Sequence, residues 1–130
     1  MDKDYKKLEI VIRAEELQDW VFRVTSKKAR PPEDFKPGEN NGLPAKYQQS
    51  IGVRMQNYTL DFMEYLDDIQ YDKSNRLELL TSLLHTLRHL NSCIWLCFRQ
   101  NIISKSSAEY GETLLLNVKR MALAWRQKLM

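Results

Sequence analysis

The sequence predicts an all-α domain, an antiparallel up-down four-helix bundle, from three observations. Four segments carry apolar residues three and four positions apart, no segment alternates with period two, and all four prolines fall between positions 29 and 44 with Gly38 and Gly42. With 130 residues the chain has the commonest size of a single domain, and 43% hydrophobic with 28% charged residues suits a folded core. One domain, residues 1–130, is expected.

The first helix is expected over about 5–26, where Ile10, Ala14, Leu17, Val21 and Val24 keep one stripe on one face. The proline-rich stretch cannot continue it and reads as a long loop from Ala29 to Pro44. The second helix, about 45–71, follows Pro44 and carries Tyr47, Ile51, Met55, Tyr58, Phe62, Leu66 and Ile69. Ser74 or Asn75 should cap the third, about 75–103, with Leu77, Leu80, Leu84, Leu87, Asn91, Ile94 and Phe98 inward. The fourth, about 107–128, should be capped by Ser106 or Ser107 and carry Tyr110, Leu114, Val118, Met121 and Trp125. Short links at Asp72-Lys73 and Ser104-Lys105 make helices two, three and four antiparallel neighbours.

Helix three holds more apolar surface than one bundle position needs. With Leu87 at the centre of its inner face, Leu96 points to the opposite side and Trp95 and Leu79 lie near the borders. A second buried face, and hence self-association, is one reading; scattered surface apolars are the other. In helix one, Leu8, Ile12 and Phe22 also sit off the main stripe.

No apolar run approaches the roughly 18 residues of a membrane span, and the charged N-terminus lacks a signal-peptide pattern. A soluble, cytoplasmic protein is expected, with Cys93 and Cys97 as reduced thiols because their spacing along a helix does not suit a disulfide. His85, His89, Cys93 and Cys97 climb in steps of four, but the ladder spans roughly 18 Å of axis and its four side chains cannot surround one ion. No metal and no cofactor are therefore expected. Phosphate-loop, nucleophile-elbow and His-Glu-x-x-His signatures are absent, and Asp61, Glu64, Asp67, Asp68 and Asp72 read as a solvated or partner-facing strip. An enzyme is not expected, and neither is a small-molecule substrate.

Charge is divided unevenly along the chain: residues 1–72 carry net −3 and residues 73–130 net +6. Lys119 and Arg126 are seven apart and share a helix face, with Arg120 and Lys128 nearby, and Arg88 and Arg99 are 11 apart, close to three full turns. A basic face on a packed bundle neutralises phosphates without reading bases, so these six residues are the candidate nucleic-acid contacts. Ordinary solubilising charge is the alternative for the same residues.

Several runs carry a family resemblance: PAKYQQSIGVRM from Pro44 to Met55, LHTLRHL from Leu84 to Leu90, IISK from Ile102 to Lys105, Glu109-Tyr110, and MALAW from Met121 to Trp125. Together they resemble the four-helix-bundle family of diversity-generating retroelement accessory variability determinant proteins. A sister branch is encoded in intervening sequences of bacterial ribosomal RNA genes. The resemblance covers roughly residues 8 to 128, and the loop from Ala29 to Leu43 is longer than is usual in that family. It implies a ring or barrel homo-oligomer, with a pentamer favoured, that binds the element's reverse transcriptase and engages template RNA, with DNA as the alternative nucleic acid, in mutagenic retrohoming. A structural, self-associating scaffold of the ribosomal intervening-sequence type is the competing expectation.

Overall fold

In the computed structural model, which describes residues 8–130, four long helices pack side by side around one core. Helix α1 spans Glu9–Ser26. Helix α2 is composite: an α-helical turn Ala45–Tyr47, a π-helical turn Gln48–Gly52 and the α-helix Val53–Tyr71. Helix α3 spans Arg76–Arg99 and α4 spans Lys105–Leu129. Each helix packs on its neighbours in sequence, and α1 closes the square against α4, which leaves α2 and α4 on opposite corners. Among the described residues there is no strand, only an isolated bridge between Lys28 and Leu43.

The core is aliphatic, with Leu17, Val21, Met55, Phe62, Leu66, Leu80, Leu87 and Ile94 buried and Leu90 and Val118 beside them. Burying a side chain of this kind is worth about 1.5–3 kcal/mol, so the stripes rather than helix propensity hold the bundle together. A polar seam sets the register of α1 against α2. Gln18 Nε2 donates to Thr59 Oγ1 at 3.1 Å and Gln56 Nε2 to Thr25 Oγ1 at 2.9 Å, so the two buried threonines are satisfied.

Several expectations need correction. The first helix begins at Glu9 within the described residues, and positions 5–7 of its expected range lie outside them. The third helix stops at Arg99, four residues early. Asn101 adopts the left-handed conformation at φ 60°, which ends the helix and turns Ile102 and Ile103 into the core. Asn75 precedes α3 but makes no side-chain cap; Asp72 instead caps the short 3₁₀ turn Lys73–Asn75 by accepting from Ser74 N at 3.1 Å. Hydrogen bonds from Asn75 and then Ser74 hold the Asp72 carboxyl below its ordinary pKa. The cap of α4 is Ser104, whose Oγ accepts from Ser107 N at 3.1 Å, because the link is longer and the helix starts at Lys105.

The inner face of α3 is also rotated from the expected stripe. Leu80, Leu83, Leu87, Leu90, Ile94 and Cys97 are buried, whereas Leu77 is exposed and Leu84, Asn91 and Phe98 sit at the border. Leu79, Trp95 and Leu96 are half-buried. Trp95 stays inside the bundle: its Nε1 donates to Glu112 Oε2 of α4 at 2.8 Å and its ring meets Phe98 edge-on. On α4, Tyr110 is exposed, and Gly111, Leu115 and Ala122 supply the inner face with Leu114 and Val118.

The long loop is ordered by one residue. Asn41 is fully buried; its amide donates to the carbonyls of Lys36, Glu39 and Asn101, and its Oδ1 accepts from Lys36 N at 3.0 Å. Asn41 N and Gly42 N both donate to Ile102 O, while Asn40 Oδ1 accepts from Ser104 N at 2.8 Å. The loop is thereby sewn to the α3–α4 link, as in a compact Ω-loop. Gly42, at φ +86°, brings its Cα against Ala29, where a Cβ would stand 2.8 Å from Ala29 Cα.

Candidate nucleic-acid interface

Antiparallel packing of α3 and α4 divides the six predicted cations into two groups. Arg88 on α3 and Lys119 and Arg126 on α4 line a single groove between the two helices, about 320 Å³ in volume. Lys119 and Arg126 reach it because seven residues bring a helix back to the same face, and Arg88 reaches it from across the interface. The other three lie elsewhere. Arg120 is exposed and does not line the groove, being turned about 100° from Lys119. Lys128 lines a separate groove between α1 and α4, beside Glu9 and Trp125. Arg99 is exposed at the end of α3, about 16 Å of axis beyond Arg88.

The floor of the α3–α4 groove is aliphatic, formed by Leu84, Leu115, Leu116 and Leu123. His85, Asn91 and Thr81 complete its wall, and no carboxylate lines it. Arg88 Nη2 lies 3.2 Å from His85 Nδ1; because a guanidinium only donates, Nδ1 is the acceptor in this contact. Among the described residues, Asn91 Oδ1 is a buried side-chain oxygen with no hydrogen-bond partner. The acidic strip is on another side of the molecule: Asp61, Glu64, Asp67 and Asp68 are exposed along α2, diagonal to α4, while Glu112 of α4 is held by Trp95 one turn before Leu116 and does not line the groove. The groove is thus an apolar slot with a cationic rim, suited to an anion that also has an apolar face.

Sequence reasoning did not assign the leucine floor, His85 or Asn91 to this site. Spacing puts Leu84 and Asn91 in the inner stripe; their border position depends on the rotation of α3, which spacing alone does not set. Near the long loop, cations of the net-acidic half, residues 1–72, meet the basic half. Arg23 and Lys27 share a small pocket there with Ile102 and Ser107 of the basic half.

The His/Cys ladder is split among different surroundings. His85 is in the groove, His89 stacks on Tyr58 at 6.2 Å between centroids, and Cys97 is buried with its thiol toward Met55 Sδ at 3.7 Å. Burial pushes the Cys97 thiol up to about 12, and raises that of Cys93 against the opposing influence of Arg54. Among the described residues no three His, Cys, Asp or Glu side chains are grouped to hold a metal ion. None of the described helices is long and apolar enough to cross a membrane. No family model matches the sequence, and no curated protein or solved structure is significantly similar to it.

Proposed function

We propose that this chain is a non-catalytic accessory protein of a diversity-generating retroelement, binding the reverse transcriptase and template RNA through a basic surface to support mutagenic retrohoming. The observation that carries the RNA-binding part is the convergence of Arg88, Lys119 and Arg126 on one groove without a carboxylate. Positive charge gathered in this way favours a polyanion by releasing its counterions, with Arg99, Arg120 and Lys128 as further phosphate contacts around the same molecule. The retroelement assignment rests on the resemblance of the Pro44–Met55, Leu84–Leu90 and Met121–Trp125 runs.

Self-association, with a pentamer favoured, belongs to the same reading. Exposed apolar side chains on all four helices support it, among them Ile12 and Phe22 on α1, Leu60 and Tyr71 on α2, Leu77 on α3 and Tyr110 on α4. The direct experiment is co-purification of the tagged chain with the reverse transcriptase of its element, with RNA recovered from the eluate. Retention of both enzyme and RNA is expected. A chain that retains neither, yet forms a stable oligomer, would instead favour the scaffold.

A further inference from the structure

We infer that the α3–α4 groove takes a single-stranded polynucleotide, with its phosphates on Arg88, Lys119 and Arg126 and an unstacked base turned onto the leucine floor. This deepens, and rests on, the RNA-binding reading of the same surface. A duplex presents its phosphates outside and keeps its base faces stacked, so a recessed aliphatic floor between two cationic edges would go unfilled against it. In a single strand the bases splay out, and each offers a flat apolar face to bury.

The groove supplies the remaining elements of such recognition. Arg88 and His85, held together at 3.2 Å, are both planar, and bases stack on guanidinium and imidazole planes as well as on larger rings. Asn91 has an amide with both donor and acceptor capacity whose oxygen has no partner in the protein. After rotation about its terminal bond, that oxygen can accept from the amino group of a base. Adenine and cytosine, each with an amino donor beside a ring-nitrogen acceptor, are the bases whose edges match the amide at this point. An acidic amphipathic helix is the protein ligand that would suit the same charge pattern; the unpaired amide and the stacking planes favour the strand.

The test is fluorescence anisotropy with a labelled, unstructured RNA strand and the same strand annealed to its complement, using the full chain. The wild type should bind the single strand about tenfold more tightly than the duplex. Leu116→Asn and Leu123→Asn keep side-chain size while removing the apolar floor, and both sites are partly exposed, so folding should survive. These variants should lose about tenfold for the single strand and little for the duplex, whereas Arg88→Gln should weaken both. Circular dichroism confirms that each variant is folded. Equal binding of strand and duplex, insensitive to the leucine substitutions, overturns the inference and leaves a generic polyanion surface. Binding of neither overturns the RNA reading as well. Displacement of the strand by an acidic amphipathic peptide at equal concentration would make the groove a protein-docking site.

Discussion

Gly111→Ala should destabilise the bundle, although helix propensity alone predicts the opposite. Gly111 lies within α4, where replacing glycine by alanine ordinarily gains about 1 kcal/mol. Here a Cβ would fall 2.6 Å from Cζ3 and 2.7 Å from Cζ2 of Trp20, and closest to its Cη2. Trp20 is only 4% exposed, so its ring has little room to retreat. Reaching an ordinary contact of about 3.5 Å requires the indole or the α1–α4 spacing to shift by close to 1 Å. Overpacking costs about 1–3 kcal/mol, and three indole atoms within 3 Å of the new Cβ place this site in the upper part of that range, about 2–3 kcal/mol; after the propensity gain the net loss is about 1–2 kcal/mol. For a chain of this size that corresponds to a fall of about 4–7 °C in Tm.

The assay is thermal and urea unfolding followed by far-UV circular dichroism at fixed protein concentration, since assembly would make stability concentration-dependent. Trp20→Phe shortens the ring and should remove the clash. In that background Gly111→Ala should be neutral or stabilising, giving a coupling of about 1–3 kcal/mol in the double-mutant cycle. A Gly111→Ala protein as stable as wild type, with no coupling to position 20, would refute the packing of the indole over the glycine.

Four further outcomes follow from the loop, the buried thiol and the basic face. Asn41→Ala should cost about 2–4 kcal/mol, because buried carbonyl and N–H groups lose their partners, and limited proteolysis should then cut within 31–38 faster than in the wild type. Cys97 should resist alkylation in the native state near about pH 8 and react once the chain is unfolded. Because its folded pKa is raised from 9.0 to about 12, its contribution to stability is complete below pH 9.0 and is lost as pH rises toward 12; Cys97→Ala should flatten that alkaline decline. Replacing Lys119, Arg120 and Arg126 together with Gln should weaken RNA binding and make its salt dependence shallower, by about 0.7 in log-log slope per lost single-strand phosphate contact. Thermal unfolding should barely change, because exposed charges contribute little to stability. Unchanged affinity and slope in the folded variant would assign these residues to solubility.

By itself the sequence determined the helical class, the number of long helices and most of their limits. Both signals are local: a period of three to four residues survives in any packing, and the prolines from Pro31 to Pro44 prevent a helix from running through them. Arg88, Lys119 and Arg126, which line the groove, are among the six cations that the sequence offers as candidates. What it could not determine was their grouping. Arg88 meets Lys119 and Arg126 only through the antiparallel register of α3 and α4, whereas Arg99, equally well spaced from Arg88 on paper, falls beyond the groove. The end of α3 at Arg99 depended on a left-handed Asn101 whose carbonyl accepts from buried Asn41, a contact 60 residues distant in sequence. Gly111 is a weak helix former within α4, and the approach of Trp20 from α1 accounts for it. Periodicity tells which side of a helix is apolar, but the rotation that makes Leu84 and Asn91 line a groove rather than the core is set by the volumes of neighbouring helices, and that is decided in three dimensions.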